Sequence, residues 1–203
     1  CSSDLASICM TVKRRIGLMG GTFNPIHMGH LIIAEEARER FALEKVIFIP
    51  SYITPNKEVK AAPAEERLRM VELAVKSNPY FSVSDMEIRQ KGMSYTVSTL
   101  KILKEMYGDD WELYFISGTD AVASLPEWYQ PEQILTLCRF IGAVRPGGIQ
   151  KAEEVVASFK MQGKKIELLP VPAIDISSTD IRNRIRNGKS VRYMVPEKVY
   201  TYI

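Results

Sequence analysis

The stretch RIGLMGGTFNPIHMGH, residues 15 to 30, decides the fold. Arg15 to Met19 is a short, mostly apolar run closed by Gly20 and Gly21, which reads as a buried strand running into a tight turn. From His27 to Phe41, the residues Leu31, Ala34, Ala37, Arg38 and Phe41 recur at helical spacing, so the unit is strand, glycine turn, helix. The same alternation continues outward. It predicts strands near Val46 to Ile49, Phe81 to Ser84, Glu112 to Ser117, Phe140 to Val144 and Lys165 to Leu169. Between them fall helices near Ala64 to Ser77, Thr96 to Tyr107, Pro131 to Leu137 and Lys151 to Met161. Strands that alternate with helices require right-handed crossovers and a parallel sheet covered on both faces. The expected fold is α/β, a single doubly wound, Rossmann-like domain over residues 10–203, with its ligand crevice at the carboxyl ends of the strands.

Two segments break the alternation. Pro50 to Pro63, PSYITPNKEVKAAP, holds three prolines and little apolar periodicity, and reads as an unstructured connection of the functional or mobile kind. The tail from Ser177 runs Ser, Ser, Thr, Asp ahead of Ile181, Ile185 and Gly188, which predicts a short basic helix with a strong amino-terminal cap.

Composition removes several classes. At 203 residues, 46% hydrophobic and 25% charged, the chain is neither disordered, collagen-like nor a small disulfide scaffold. Twenty-seven basic against 24 acidic residues leave +3, too mild and too evenly spread to point to nucleic acid. Cys1, Cys9 and Cys138 are odd in number and lack motif spacing, as expected of a reduced, cytoplasmic protein. Ile16 to Ala34 carries no formal charge but is interrupted by glycines, Asn24, Pro25 and both histidines, which excludes a membrane span. Residues 1–9, CSSDLASIC, lack the apolar core of a signal peptide, and Met10 opens a sensible sequence. We expect residues 1–9 to be a non-native or disordered extension.

Two places carry chemistry. Gly20, Gly21, Thr22 and Phe23 join the first strand to the first helix, where backbone N–H groups and the positive helix end form a phosphate site. The chain's two histidines, His27 and His30, fall at the start of that helix, with Gly29 expected to leave space between them for a ligand. Their spacing would also suit a metal, but no third ligand is suggestively placed, so no metal site is assigned. Either imidazole supplies an N–H donor for a phosphate. At the other end of the chain, Ile176, Ser177, Ser178, Thr179 and Arg182 combine a hydroxyl-rich cap with a guanidinium. Two such sites suggest a polyphosphate held between two helix ends.

GGTFNPIHMGH and ISSTDIR together resemble the two signature motifs of the HxGH nucleotidyltransferases, over Met10 to Ile203. Ser94-Tyr95-Thr96, Gly118-Thr119-Asp120 and Leu125-Pro126-Glu127-Trp128-Tyr129 are similar to the members acting on pyridine nucleotides. The resemblance implies a nucleotidyltransferase domain that transfers AMP from ATP to nicotinate mononucleotide and releases pyrophosphate, in NAD biosynthesis. It implies ATP binding by Gly20, Gly21, Thr22, Phe23, His27, His30, Gly118, Ile176, Ser177, Ser178, Thr179 and Arg182. Nicotinate mononucleotide would be bound by Thr22, Lys57, Ser94, Tyr95, Thr96, Asp120, Trp128, Tyr129 and Arg145, and the catalytic set is His27, His30, Lys57 and Arg182. Asn56 is a departure, standing where related sequences often have histidine.

The residue chemistry agrees. Trp128 and Tyr129 are expected to be exposed, ready to stack on a pyridine ring, with a core position as the alternative. The N–H groups at the start of the helix from Thr96 suit a carboxylate, and Asp120 suits ribose hydroxyls or serves as a helix cap. Mg²⁺ is expected to arrive with ATP. A partner is ATP, another is nicotinate mononucleotide; nucleic acid and membrane are not expected, and a homo-oligomer is left open. The alternatives are an adenylyltransferase for nicotinamide mononucleotide or pantetheine phosphate, and a nucleotide-binding sensor. A tRNA-charging enzyme is disfavoured by the missing KMSKS partner and anticodon domain.

Overall fold

The computed structural model describes residues 12–57, 60–118, 120–160, 163 and 166–203. The expectation for residues 1–9 therefore lies outside the described residues. Six strands, β1 (Arg14–Gly21), β2 (Lys45–Pro50), β3 (Phe81–Val83), β4 (Trp111–Ser117), β5 (Arg139–Val144) and β6 (Ile166–Pro170), form one sheet. Its order is β3-β2-β1-β4-β5-β6 and every pairing is parallel. The doubly wound expectation is borne out. The order reverses direction between β1 and β4, which places the crevice between their carboxyl ends, at Gly21 and Ser117.

The helices are α1 (Met28–Arg40), α2 (Ala64–Val75), α3 (Met86–Gln90), α4 (Thr96–Tyr107) and α5 (Ala121–Ser124). After a 3₁₀ turn at Leu125–Glu127 come α6 (Pro131–Leu137), α7 (Ile149–Lys160), α8 (Ser178–Arg186) and α9 (Glu197–Tyr202). The central strands are apolar on both faces because both are covered. On one side Ile16, Leu18, Leu113 and Phe115 pack with Leu100 and Leu103 of α4 and Ile134 of α6. On the other, Met19, Phe48, Tyr114 and Ile116 pack with Ala34 and Ala37 of α1, Val71 of α2, Ile181 of α8 and Val199 of α9. The short elements α3, α5 and α9 are not apparent from periodicity, since fewer than two turns cannot establish one.

The segment between β2 and α2 is more ordered than its proline content suggests. The N–H of Ser94 donates to Ile53 O at 2.9 Å, that of Tyr52 to Ser94 Oγ at 3.0 Å, and Ile53 pairs with Met93. This corrects the expectation of an unstructured connection for its first residues. Among the described residues no helix is long and apolar enough to cross a membrane.

Candidate active site

Gly21 ends β1, and Thr22 to Ile26 carry the chain into α1. Phe23 turns it in the left-handed region at φ 50°, sparsely populated by residues other than glycine, and buries its ring at 2% exposure. Its ring meets His30 edge-on, centroids 5.0 Å apart, and Phe23 lines the cleft. The Asn24–Pro25 bond is cis.

His27 is the N-cap of α1 and His30 its third residue, and their rings stack at 3.8 Å between centroids. Stacked rings leave no gap for a ligand. Gly29 instead makes room for His27, because a Cβ there would lie 2.8 Å from His27 Cε1. Burial, aided by the charge of Arg145, lowers the His27 pKa to about 4. Burial, then the neighbouring His27 and Lys57, holds His30 well below its ordinary 6.5. Both are neutral at pH 7. His30 Nδ1 accepts the backbone N–H of His27 at 3.1 Å, so the ring proton belongs on Nε2, as a donor for the cleft that His30 lines. His27 Nδ1 is buried without a partner.

The N-terminus of α8 docks on this turn. Ser177 Oγ accepts from Asp180 N–H at 3.1 Å as the expected cap. Ser178 Oγ donates to Pro25 O at 2.9 Å, and Arg182 donates to Asn24 O at 2.8 Å and Thr179 Oγ1 at 3.2 Å. The Ser178 hydroxyl is thus taken up in joining the motifs, and backbone N–H groups are what it leaves for phosphate. Arg182 Nε is buried without a partner. Two helix starts accordingly meet at one place, with two orphaned nitrogens between them.

One cleft of 1620 Å³ runs from here along the carboxyl edge of the sheet. That exceeds the roughly 300–1,000 Å³ of a single small-ligand pocket and accommodates two ligands side by side. It brings together Gly20, Gly21, Thr22, Phe23, His27, His30, Lys57, Gly118, Ile176, Ser177, Ser178, Thr179 and Arg182, and also Ser94, Tyr95, Thr96, Asp120, Trp128, Tyr129 and Arg145. Arg145 lines the cleft and pairs with Asp175 at 3.0 Å. Thr119 lies outside the described residues. Trp128 differs from expectation: it is half-buried, edge-on to Phe115 and Phe140 at 6.1 and 5.6 Å, with Nε1 donating to Ser124 Oγ at 3.1 Å. Tyr129 is the exposed ring, at 55%, tilted against Tyr95 with centroids 4.8 Å apart.

Three residues of the site escaped the sequence reading. Arg67, 1% exposed, donates to the carbonyls of Ala62 at 2.8 Å, Thr22 at 2.8 Å, Ser51 at 2.7 Å and Tyr52 at 3.1 Å. Its signal was available, because it shares a helical stripe with the buried Ala64, Val71 and Ala74. Thr54 links the hydroxyls of Thr22 and Ser51. Glu87 is buried in the cleft wall.

A strand–glycine–helix turn closed by a second helix start, at the switch point of a six-stranded parallel sheet, is where such a fold binds its ligand. The cytidylyltransferase-like family model matches residues 18–184, and the chain belongs to that family. A protein of Desulfitobacterium hafniense strain Y51, named a probable nicotinate-nucleotide adenylyltransferase, is 49% identical over 94% of this chain and 93% of its own. One of Moorella thermoacetica with the same name is 47% identical over 96% and 91%. Within the cytidylyltransferase-like proteins, the chain belongs to the nicotinate-nucleotide adenylyltransferases. The fold is also that of the Plasmodium falciparum nicotinic acid mononucleotide adenylyltransferase complexed with NaAD, with TM-score 0.79 and 19% identity over 94% of each chain. The same enzyme complexed with APC gives a TM-score of 0.75 at 18% identity, again over 94% of each chain.

Proposed function

We propose that this protein joins ATP and nicotinate mononucleotide into nicotinate adenine dinucleotide and pyrophosphate, as a cytoplasmic enzyme. The observation that carries this reading is the continuity of the cleft, from a phosphate cradle at one end to a helix start flanked by aromatic rings at the other. An oxygen of the acceptor's 5′-phosphate attacks the α-phosphorus of ATP, the bond to the bridging oxygen breaks, and pyrophosphate leaves with that electron pair. A phosphate monoester is already anionic at neutral pH, so no general base is needed. Catalysis then rests on in-line positioning and on donors aimed at developing negative charge.

His30 Nε2–H and the ring of His27 contact the phosphates in transfer. The 20–22 backbone, the free N–H groups of Ser178 and Thr179, and Arg182 hold the triphosphate of ATP, with Gly118 and Ile176 bordering it. Lys57, exposed on its loop, closes over the phosphates. At the acceptor end, the start of α4 after Ser94 and Tyr95 receives the ring carboxylate at Thr96, Trp128 and Tyr129 flank the ring, and Asp120 accepts from ribose hydroxyls. The donor set around the cradle is N–H and guanidinium, which fits phosphate oxygens rather than a cation. Mg²⁺ therefore travels on the triphosphate, where it screens negative charge.

The test is kcat/KM with ATP and, side by side, nicotinate mononucleotide, nicotinamide mononucleotide and phosphopantetheine. We expect the acid mononucleotide to be preferred, because a half-buried helix start suited to an anion loses its partner when the amide binds. No pyrophosphate release with any acceptor, or preference for another, would overturn the reading.

A further inference from the structure

Glu87 is a buried carboxyl in the cleft wall that the reaction above leaves without a task. It lies on α3, 8% exposed, and its Oε2 accepts from Thr99 Oγ1 at 2.8 Å. Among the described residues no basic side chain pairs with it; Arg89, on its own helix, is engaged with Asp85 at 2.8 Å. Burial pushes its carboxyl up to about 7, opposed by hydrogen bonds from Thr99 and Ser94. Ser94 also connects it to the acceptor end. Its Oγ accepts from Tyr52 N–H, which leaves its own proton to donate, and two residues later α4 begins. Tyr52, Lys57, Lys60, Arg67, Tyr95, Asp120, Glu127, Tyr129 and Arg145 are further ionisable groups along the cleft, and none of them bonds to the carboxyl.

We propose that Glu87 is a specificity-determining residue for the acceptor: as a carboxylic acid it admits an anionic ring carboxylate at the start of α4, and as a carboxylate it repels one. The inference rests on nicotinate mononucleotide being the acceptor. Because the anion binds the acid form better, its binding draws a fraction of a proton, roughly half at most for a coupling of about one pKa unit, from the buffer onto Glu87 by reciprocal linkage.

The test is the Kd of nicotinate mononucleotide from pH 5.5 to 9 for wild type, Glu87→Gln and Thr99→Val, each checked for folding by circular dichroism. Gln preserves shape and the bond from Thr99 but cannot ionise. Wild-type Kd is expected to rise about tenfold above pH 7, the effect of a coupling of about one pKa unit, beyond any change from the ligand's own phosphate. Glu87→Gln is expected to lack that rise. Thr99→Val removes a bond that favours the charged form and is expected to move the rise to higher pH. Coincident profiles for wild type and Glu87→Gln overturn the proposal. Should Glu87→Gln not fold, an unmoved rise in Thr99→Val overturns it as well. A wild-type protein that neither binds the mononucleotide nor forms dinucleotide at any pH would instead sink the proposed function.

Discussion

At the phosphate end of the cleft, contacts are made by backbone and by side chains that are themselves tied down. Arg67 holds Thr22, Ser51 and Tyr52 by their carbonyls, Arg182 and Ser178 hold Asn24 and Pro25, and the histidines brace each other. At the acceptor end the determinants are mostly side chains, the rings of Tyr95, Tyr129 and the half-buried Trp128, with the buried carboxyl of Glu87 in the same cleft wall. Phosphate transfer needs fixed donors at a fixed place, whereas recognising a ring needs shape and charge that substitution can tune. The two ends should therefore respond differently to mutation and to pH.

The sharpest way to break this contrast is His30→Ala. Losing a positioned donor to a developing charge costs ~10²–10³-fold in kcat. We expect that loss in a folded protein, with the KM for nicotinate mononucleotide little altered; steady-state kinetics of the purified variant would refute it by returning near-normal kcat.

The next effect is on stability against acid. His27 titrates at about 4 in the fold against an ordinary 6.5, so the fold favours the neutral ring. Its contribution is whole above about 6.5 and is lost as pH falls from there through 4, amounting to on the order of 3 kcal/mol. Glu87 runs the other way: its raised carboxyl contributes below its ordinary 4.5 and loses that contribution as pH rises through about 7. Denaturant melts across this range should give His27→Asn a flatter acid limb than wild type and Glu87→Gln a flatter alkaline one. Unchanged limbs would mean that neither end is set by these groups.

The smallest effects should separate the two rings of the acceptor end. Trp128→Ala exposes a gap beside Phe115 and Phe140 and should cost about 2 kcal/mol, less than the ~3–5 of a fully buried aromatic, together with a several-fold higher KM for the mononucleotide. Tyr129→Ala should raise KM alone, with stability within ~0.5 kcal/mol of wild type, since its ring is exposed. Equal stability losses would erase the distinction.

Most of the fold was legible because each long element announces its period: β1 by an apolar run ended by glycines, α4 by its spacing from Thr96 to Tyr107. The phosphate end was legible for a related reason, since glycines and caps at helix starts are local signals. What escaped depends on long-range closure. Arg67 reads as one more charge on a helix until the carbonyls of two separate turns are brought around it. The burial of Trp128 follows from the position of Phe140 in a later strand, and the role of Gly29 from which way a neighbouring ring points.

The bonds from Ser178 to Pro25 and from Arg182 to Asn24 span 153 and 158 positions of chain. Loop closures of that length come late, since local and neighbouring contacts form before distant ones. On a ribosome the first strand, turn and helix emerge early, yet the cradle they begin stays half built until the eighth helix is out. Competence to hold a triphosphate thus arrives near the end of synthesis, and a chain released before residue 182 would carry a largely assembled sheet with an open nucleotide site.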